Sequence, residues 1–250
     1  MEDRIKVKGY VYRLGFYSAL TVTILAVVTF GIAICTPPVS GPFCKGSCIG
    51  YPYSDIISRF PRDYLWMYPA ILLAILFLAL IVCIHQYASN DKKIFSLIGL
   101  SFSLVSAIAL ITDYYIQISV IQPSLVSGET EGIAILTQYN PHGVFIALEE
   151  VGYIMMSVTF ISLVPVFSGS NTLERAIKWI YIVGFILIIV SFILISLRFG
   201  IKREYRFEVA LITIDYVELI VSGILLTRLF KREMRNSLTV KWELQNKNSI

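Results

Sequence analysis

Five acidic side chains lie inside long apolar stretches of the chain, where carboxylates are rare. They are Asp113 in LITDYYIQ, Glu149 and Glu150 in ALEEVGY, and Asp215 and Glu218 in ITIDYVEL. A carboxylate in hydrocarbon is costly unless it is paired, protonated or exposed to water, so such a group is suited to hold a cation or an exchangeable proton. The predicted ligand-binding residues are these five acids together with Tyr114, Tyr115 and Tyr153, whose hydroxyls donate hydrogen bonds and whose rings attract cations.

The spacing of the acidic side chains places them on the faces of helices. Asp113 and Gln117 are four residues apart and share one face. Two further polar stripes follow the same periodicity, the first made of Glu150, Tyr153 and Ser157 and the second of Glu208, Asp215, Glu218 and Ser222. Glu149 points about 100° away from the first stripe. Three helices therefore each present an acidic face, and we expect these faces to meet in the outer half of a membrane-spanning bundle.

The interior of the apolar stretches contains no basic residue that could pair with these acids. Three outcomes are therefore open to them. They can pair with basic residues at the outer mouth, they can stay protonated and bond to one another, or they can bind a cation or cationic ligand. The basic candidates at the mouth are Arg59, Arg62, Arg198, Lys202, Arg203 and Arg206. A structural role remains an alternative for acids near helix ends, whereas the depth of Asp215 and Glu218 favours a functional role.

The composition excludes several classes of protein. Of 250 residues, 56% are hydrophobic and 15% charged, which excludes an ordinary soluble domain and a disordered chain. The mean hydropathy is +0.74. The net charge of +4 is small and the basic residues are scattered, so we expect no nucleic-acid partner.

Six apolar stretches predict an all-α, polytopic integral membrane protein with a six-helix transmembrane bundle. Each has roughly the 20 residues that an α-helix needs to cross about 30 Å of hydrocarbon. The stretches lie near residues 15–36, 62–86, 93–118, 144–167, 177–197 and 207–227. Pro37-Pro38 follows the first stretch in place of a small-residue cleavage site, so we expect this span to be retained. Residues 1–230 form the predicted transmembrane domain, and 231–250 a basic cytoplasmic tail.

The distribution of basic residues predicts the orientation. Fourteen of the 21 Lys and Arg residues lie on the side of the two termini, which favours cytoplasmic termini in the cell membrane. The basic segment 198–206 disagrees with this orientation, because it falls on the outer side. The orientation leaves two long exoplasmic loops, 37–61 and 119–143.

The two long loops contain residues that predict a disulfide, a short helix and a helix cap. Cys44 and Cys48 are four residues apart in the first loop, and a local disulfide is favoured over a redox pair. A metal site is not expected, because the two histidines, His85 and His142, fall on opposite sides of the membrane. In the second loop, the apolar segment 133–136 predicts a short helix, and Asn140 is the predicted N-cap of the fourth span.

The simplest arrangement places spans two, three, four and six around a polar cavity that opens outward. Its predicted rim is formed by Asp63, Tyr64, Trp66, Tyr68, Tyr114, Tyr115, Tyr139 and His142. We expect the cavity to bind a cation, a proton, or a small cationic or hydroxylated molecule in a transporter or receptor. An integral-membrane enzyme that acts on a lipid or isoprenoid by carboxylate acid–base chemistry is the first alternative. The second is an accessory or structural subunit that binds a partner protein through its exoplasmic loops; no cofactor is expected in any of these.

Overall fold

A computed structural model describes residues 2–167, 169 and 171–247, and it is 83% helical. No strand occurs in the described part of the chain. The helices are α1 Glu2–Cys35, α2 Met67–Tyr87, α3 Lys93–Ile116, α4 Gln122–Val126, α5 Ile133–Leu136, α6 Val144–Leu163, α7 Thr172–Phe199 and α8 Glu204–Lys247. A π-helical turn, Gln117–Ile121, joins α3 to α4. Short 3₁₀ turns lie at Gly41–Phe43, Ser54–Arg59, Arg62–Tyr64, Asn90–Lys92, Val164–Val166 and Gly200–Lys202.

Six helical segments among the described residues are long and apolar enough to cross a membrane, which confirms the predicted number. They are Gly9–Cys35, Arg62–Tyr87, Asn90–Val126, Val144–Val166, Thr172–Lys202 and Tyr205–Ser237. The segments between the first and second spans and between the third and fourth lie at one end of the bundle, where Gly41 approaches Pro141 and Tyr139 bonds to Asp63. We call this the disulfide end, because it contains Cys44 and Cys48.

Helices α1 and α8 run side by side through most of the bundle. Glycine permits this approach at two places, because a β-carbon on Gly15 would lie 2.7 Å from the Phe230 ring and one on Gly223 would meet the Thr23 hydroxyl. Helix α2 packs against α1 and α3, and α3 packs against α6. Helix α6 also contacts α8, so the five helices enclose a common interior.

Helix α7 lies at the edge of the bundle, against α6 and α8. It contacts them through one narrow stripe of buried residues at helical spacing: Ile177, Tyr181, Gly184 and Ile188. In the most apolar 18-residue stretch of this span, only 17% of the residues are buried inside the protein. The remaining surface is apolar as well, as expected for a helix that faces lipid on most sides.

The described part of the predicted basic tail, 231–247, continues α8 without a break as far as Lys247. One predicted boundary differs from the structure. Asn140 is not the N-cap of the fourth span, because α6 begins at Val144 and Gly143 precedes it as the N-cap. The Asn140 side chain instead closes a turn, accepting the His142 N–H over 3.0 Å and donating to the Ala134 carbonyl over 2.6 Å. The short helix predicted at 133–136 is confirmed.

Candidate functional site

The π-helical turn after α3 anchors the loop at the disulfide end. Gln117, which is fully buried, donates from Nε2 to the Leu136 carbonyl over 2.7 Å and accepts the Gln138 N–H at Oε1 over 3.0 Å. The side chain therefore satisfies two backbone groups of a loop that has no sheet or long helix of its own. This fixes Gln138 and Tyr139 above the bundle.

Asp63 lies beneath this loop and is held by two donors. Arg62 Nε lies 2.6 Å from its Oδ1, and the Tyr139 hydroxyl donates to its Oδ2 over 3.1 Å. Burial, followed by the nearby Tyr64 and Asp63, raises the pKa of Tyr139 well above its usual range, so its hydroxyl keeps the proton that it donates. The Asp63 carboxylate is thus already paired.

The disulfide predicted between Cys44 and Cys48 is present. The segment before it, 37–43, covers the space between α1 and α8. Gly41 takes up a positive φ of 67°, and a β-carbon there would contact the Tyr205 ring at 3.4 Å. The rings of Phe43 and Tyr205 lie 5.7 Å apart between centroids. We refer to residues 37–43 as the roof.

Beneath the roof lies a cavity of about 450 Å³. Its walls come from the end of α1, the segment just before α2, the first half of α6 and the first half of α8. Spans two, four and six of the expected arrangement thus contribute, span two through Asp63 and Trp66, whereas span one takes the place expected for span three. Lining residues from α1 and the roof are Phe30, Ala33, Ile34, Thr36, Pro37, Pro38, Val39, Ser40 and Phe43. Those from the other elements are Asp63, Trp66, Gln138, Tyr139, Phe145, Ile146, Glu149, Tyr153, Tyr205, Glu208, Val209, Ile212, Thr213 and Tyr216.

Glu149 on α6 and Glu208 on α8 both line this cavity, and their carboxyl groups are close enough to interact. Both residues are buried, with 2% and 4% of their surfaces exposed. An ionised carboxylate is only an acceptor, so a hydrogen bond between the two requires one of them to carry a proton. Oε2 of Glu208 has no hydrogen-bond partner among the described residues. We refer to these two side chains as the carboxyl pair.

A chain of tyrosine hydroxyls leads inward from the carboxyl pair. Tyr114 on α3 donates to Glu149 Oε1 over 2.7 Å, and its oxygen lies 3.1 Å from that of Tyr153. The Tyr153 hydroxyl lies 3.4 Å from that of Tyr216, and Phe30 stacks on the Tyr216 ring with centroids 5.1 Å apart. The floor of the cavity is therefore built from hydroxyls and aromatic faces.

The other acids near this end lie behind the cavity wall. Asp113 is buried close enough to Glu149 for their charges to interact, and its Oδ2 has no hydrogen-bond partner among the described residues. Glu150 lies 3.6 Å from Arg203, a pairing of the kind expected at the mouth. Tyr115 is 61% exposed on the outer face of α3, away from the cavity lining.

Asp215 and Glu218 form a second, deeper group. Ser157 Oγ lies 3.0 Å from Asp215 Oδ1 and 2.9 Å from the carbonyl oxygen of Tyr153. Glu218 faces Gly184 on α7, and neither of its carboxyl oxygens has a hydrogen-bond partner among the described residues. The structure therefore separates the five predicted acids, and of these only Glu149 lines the cavity.

Glu208 is an acidic cavity residue that the predicted ligand set does not include. Its signal is in the sequence, because it begins the acidic stripe one heptad before Asp215. The contribution of α1 has no comparable signal, since the lining residues Phe30, Ala33 and Ile34 are apolar.

No group of three or more His, Cys, Asp or Glu side chains arranged to hold a metal ion occurs within the described residues. Comparison with protein-family models, with characterised proteins and with solved structures finds no match for this chain.

Proposed function

We propose that the protein binds a monovalent organic cation in the cavity beneath the roof, as a multi-pass membrane transporter or receptor. The observation that carries this proposal is that Glu149 and Glu208, close enough to interact, both line a cavity that also contains eight aromatic residues. A carboxyl pair that shares one proton bears one negative charge, which suits a ligand with one positive charge.

The surroundings of the carboxyl pair favour an organic cation. Aromatic faces attract ammonium groups, most strongly where water is excluded. Phe30, Tyr153 and Tyr216 supply such faces beside the pair. Asp63 adds little charge to the cavity, because Arg62 already neutralises it. The ligand is thus held by one charged group and several rings.

The orientation forms part of the proposal. With both termini on the cytoplasmic side of the cell membrane, the disulfide end faces outward and the cavity is loaded from outside. The excess of basic residues near the termini supports this orientation. A disulfide between Cys44 and Cys48 supports it as well, because disulfides persist on the oxidising side of a membrane.

Thermal unfolding with tetramethylammonium chloride tests the cation site. The protein in a neutral maltoside detergent is titrated with this salt, and sodium chloride at equal ionic strength is the reference. A ligand that binds only the folded state adds about 2.7 kcal/mol of stability at a concentration of 100 Kd, so the melting temperature rises. Combining Glu149→Gln with Glu208→Gln removes both carboxyl groups of the pair, and with them its negative charge, and is expected to abolish the rise.

Glu233→Gln is the matched control for this experiment. Glu233 lies far along α8 from the cavity, beside Arg232, so its substitution is expected to leave the response to tetramethylammonium intact. An equal rise in the wild type and in the Glu149→Gln/Glu208→Gln double variant would show that the carboxyl pair does not bind the cation.

A further inference from the structure

The contact between α1 and α8 changes along its length. From the far end of the bundle the two helices touch through three successive pairs, which are Gly15 with Phe230, Thr23 with Gly223, and Phe30 with Tyr216. Past the last pair, toward the disulfide end, the cavity lies between them. Ala33 and Ile34 line it on the α1 side, and Val209 and Thr213 line it on the α8 side.

Several of these lining residues also lie on the outer surface of the bundle. Ile34 is 67% exposed and Val209 is 39% exposed, and both line the cavity. Thr213 is exposed as well. Ile34 belongs to the first candidate span, and Val209 and Thr213 belong to the sixth, so this surface is where lipid would lie. We call the gap bounded by Ile34, Val209 and Thr213 the α1–α8 opening.

Toward the disulfide end, polar lining residues of the cavity are buried, whereas Phe43 of the roof is 41% exposed. Ser40 in the roof and Tyr139 in the adjoining loop are each 5% exposed, and Asp63 beneath them is 3% exposed. Gly41 of the roof lies against Tyr205. These polar lining residues are thus covered, whereas apolar lining residues reach the surface at the roof and, at the α1–α8 opening, at the side of the bundle.

We infer that the ligand is an amphipathic ammonium ion whose charged head lies at Glu149 and Glu208 and whose hydrocarbon chain leaves through the α1–α8 opening into the lipid. This inference rests on the proposed cation site. Charge complementarity selects the head group, because an anionic head would meet the negative charge of the carboxyl pair. The opening favours a hydrocarbon chain on the ligand, because the Ile34 and Val209 side chains that bound the opening are apolar.

Ligands that differ in head group or in hydrocarbon chain test this inference. The full-length protein is prepared with Trp179→Phe and Trp242→Phe, which leaves Trp66 at the cavity as its single tryptophan. Its emission is followed in neutral maltoside micelles during titration with tetramethylammonium, dodecyltrimethylammonium or 1-dodecanol. Transfer of a methylene from water to apolar surroundings is worth about fourfold in affinity, so dodecyltrimethylammonium is expected to bind more than about tenfold more tightly than tetramethylammonium.

Variants at the α1–α8 opening identify the path of the ligand's hydrocarbon chain. Val209→Phe narrows the gap and is expected to remove most of the preference for dodecyltrimethylammonium while tetramethylammonium still binds. Val217→Phe is the matched control, since Val217 is 51% exposed on the same helix but does not line the cavity. Thr213→Phe, on the same side of the opening, repeats the test independently of how well Val209→Phe folds.

The outcomes separate this inference from the proposed function. Loss of the chain-length preference in Val209→Phe or Thr213→Phe, with Val217→Phe unchanged, supports the amphipathic ligand. Equal binding of the two ammonium ions in the wild type, or a full preference in both opening variants, overturns the amphipathic ligand but leaves the cation site. Binding of 1-dodecanol as tight as that of dodecyltrimethylammonium overturns the role of the charged head. Failure of both ammonium ions to bind refutes the proposed function itself.

Discussion

The carboxyl group of Glu218 on α8 lies against Gly184 of α7, in the space that a β-carbon on residue 184 would occupy. Glu218 is only 3% exposed, so its carboxyl group has little freedom to move away. We predict that Gly184→Ala lowers the free energy of unfolding by about 1–3 kcal/mol, the usual range for overpacking a buried contact. Thermal unfolding in detergent measures the change.

Two further variants show whether the carboxyl group causes this loss. Gly31→Ala is the matched control, because Gly31 is also helical but has nothing within 4 Å of its β-carbon position. It is expected to be neutral or to stabilise by up to about 1 kcal/mol. Combining Gly184→Ala with Glu218→Ala removes the colliding group, so the double variant should be more stable than the sum of the single effects implies. Additive effects would contradict this explanation.

The helices and the deep acids were predictable from sequence for the same reason. Long apolar stretches fix the number of spans, and a carboxylate such as Asp215 stands out within them because apolar surroundings penalise its charge. Which helices enclose the cavity was not predictable, because the wall from α1 is made of residues such as Ile34 that also suit a lipid-facing surface. Asn140 shows a second limit, since one side chain can close a turn or cap a helix.

A second prediction concerns Gln117, whose side chain bonds to the Leu136 carbonyl and the Gln138 N–H. Gln117→Leu keeps the approximate size of the side chain but leaves both backbone groups without this partner. These groups are partly buried, and an unsatisfied group that is fully buried costs about 1–3 kcal/mol, so the variant should be less stable by up to this amount for each group. Because Gln138 and Tyr139 line the cavity, the affinity for tetramethylammonium should fall as well. Thermal unfolding and ligand titration measure the two effects.

Gln86→Leu is the matched control for Gln117→Leu. Gln86 is exposed near the end of α2, so the same substitution there removes no anchor of the loop. Stability and tetramethylammonium affinity should both match those of the wild type. Equal effects at the two positions would mean that the loop is held by something other than the Gln117 side chain.

A third prediction concerns the disulfide between Cys44 and Cys48, which closes a very short loop beside the roof. Loop-closure entropy for a segment of this length is worth about 2 kcal/mol at most. Replacing both cysteines by serine should therefore lower the free energy of unfolding by no more than this amount. A thiol reductant should lower the melting temperature of the wild type to the same value and leave the double variant unchanged. Cys35→Ser, at a free and exposed thiol, should keep the wild-type response to reductant.

The last prediction concerns Tyr139, whose pKa is raised in the folded protein, first by burial and then by neighbours that include Asp63. A raised folded-state pKa means that above pH 10 the unfolded state releases the phenol proton while the folded state retains it, so stability falls as pH rises. The contribution of one such group is about 1.4 kcal/mol per pH unit. The stability of the wild type should therefore decline more steeply between pH 10 and 11 than that of Tyr139→Phe.

Tyr139→Phe also separates the effect of the retained phenol proton on stability from the effect of the hydrogen bond to Asp63. At neutral pH the variant should be about 1.5–3 kcal/mol less stable, because the bond has a charged acceptor. That deficit should shrink as the pH rises above 10, since only the wild type loses the contribution of the Tyr139 proton. Tyr51→Phe removes an exposed hydroxyl at the same end of the bundle and is the matched control. A deficit that stays constant between pH 7 and 11 would show that the Tyr139 proton makes no contribution to stability.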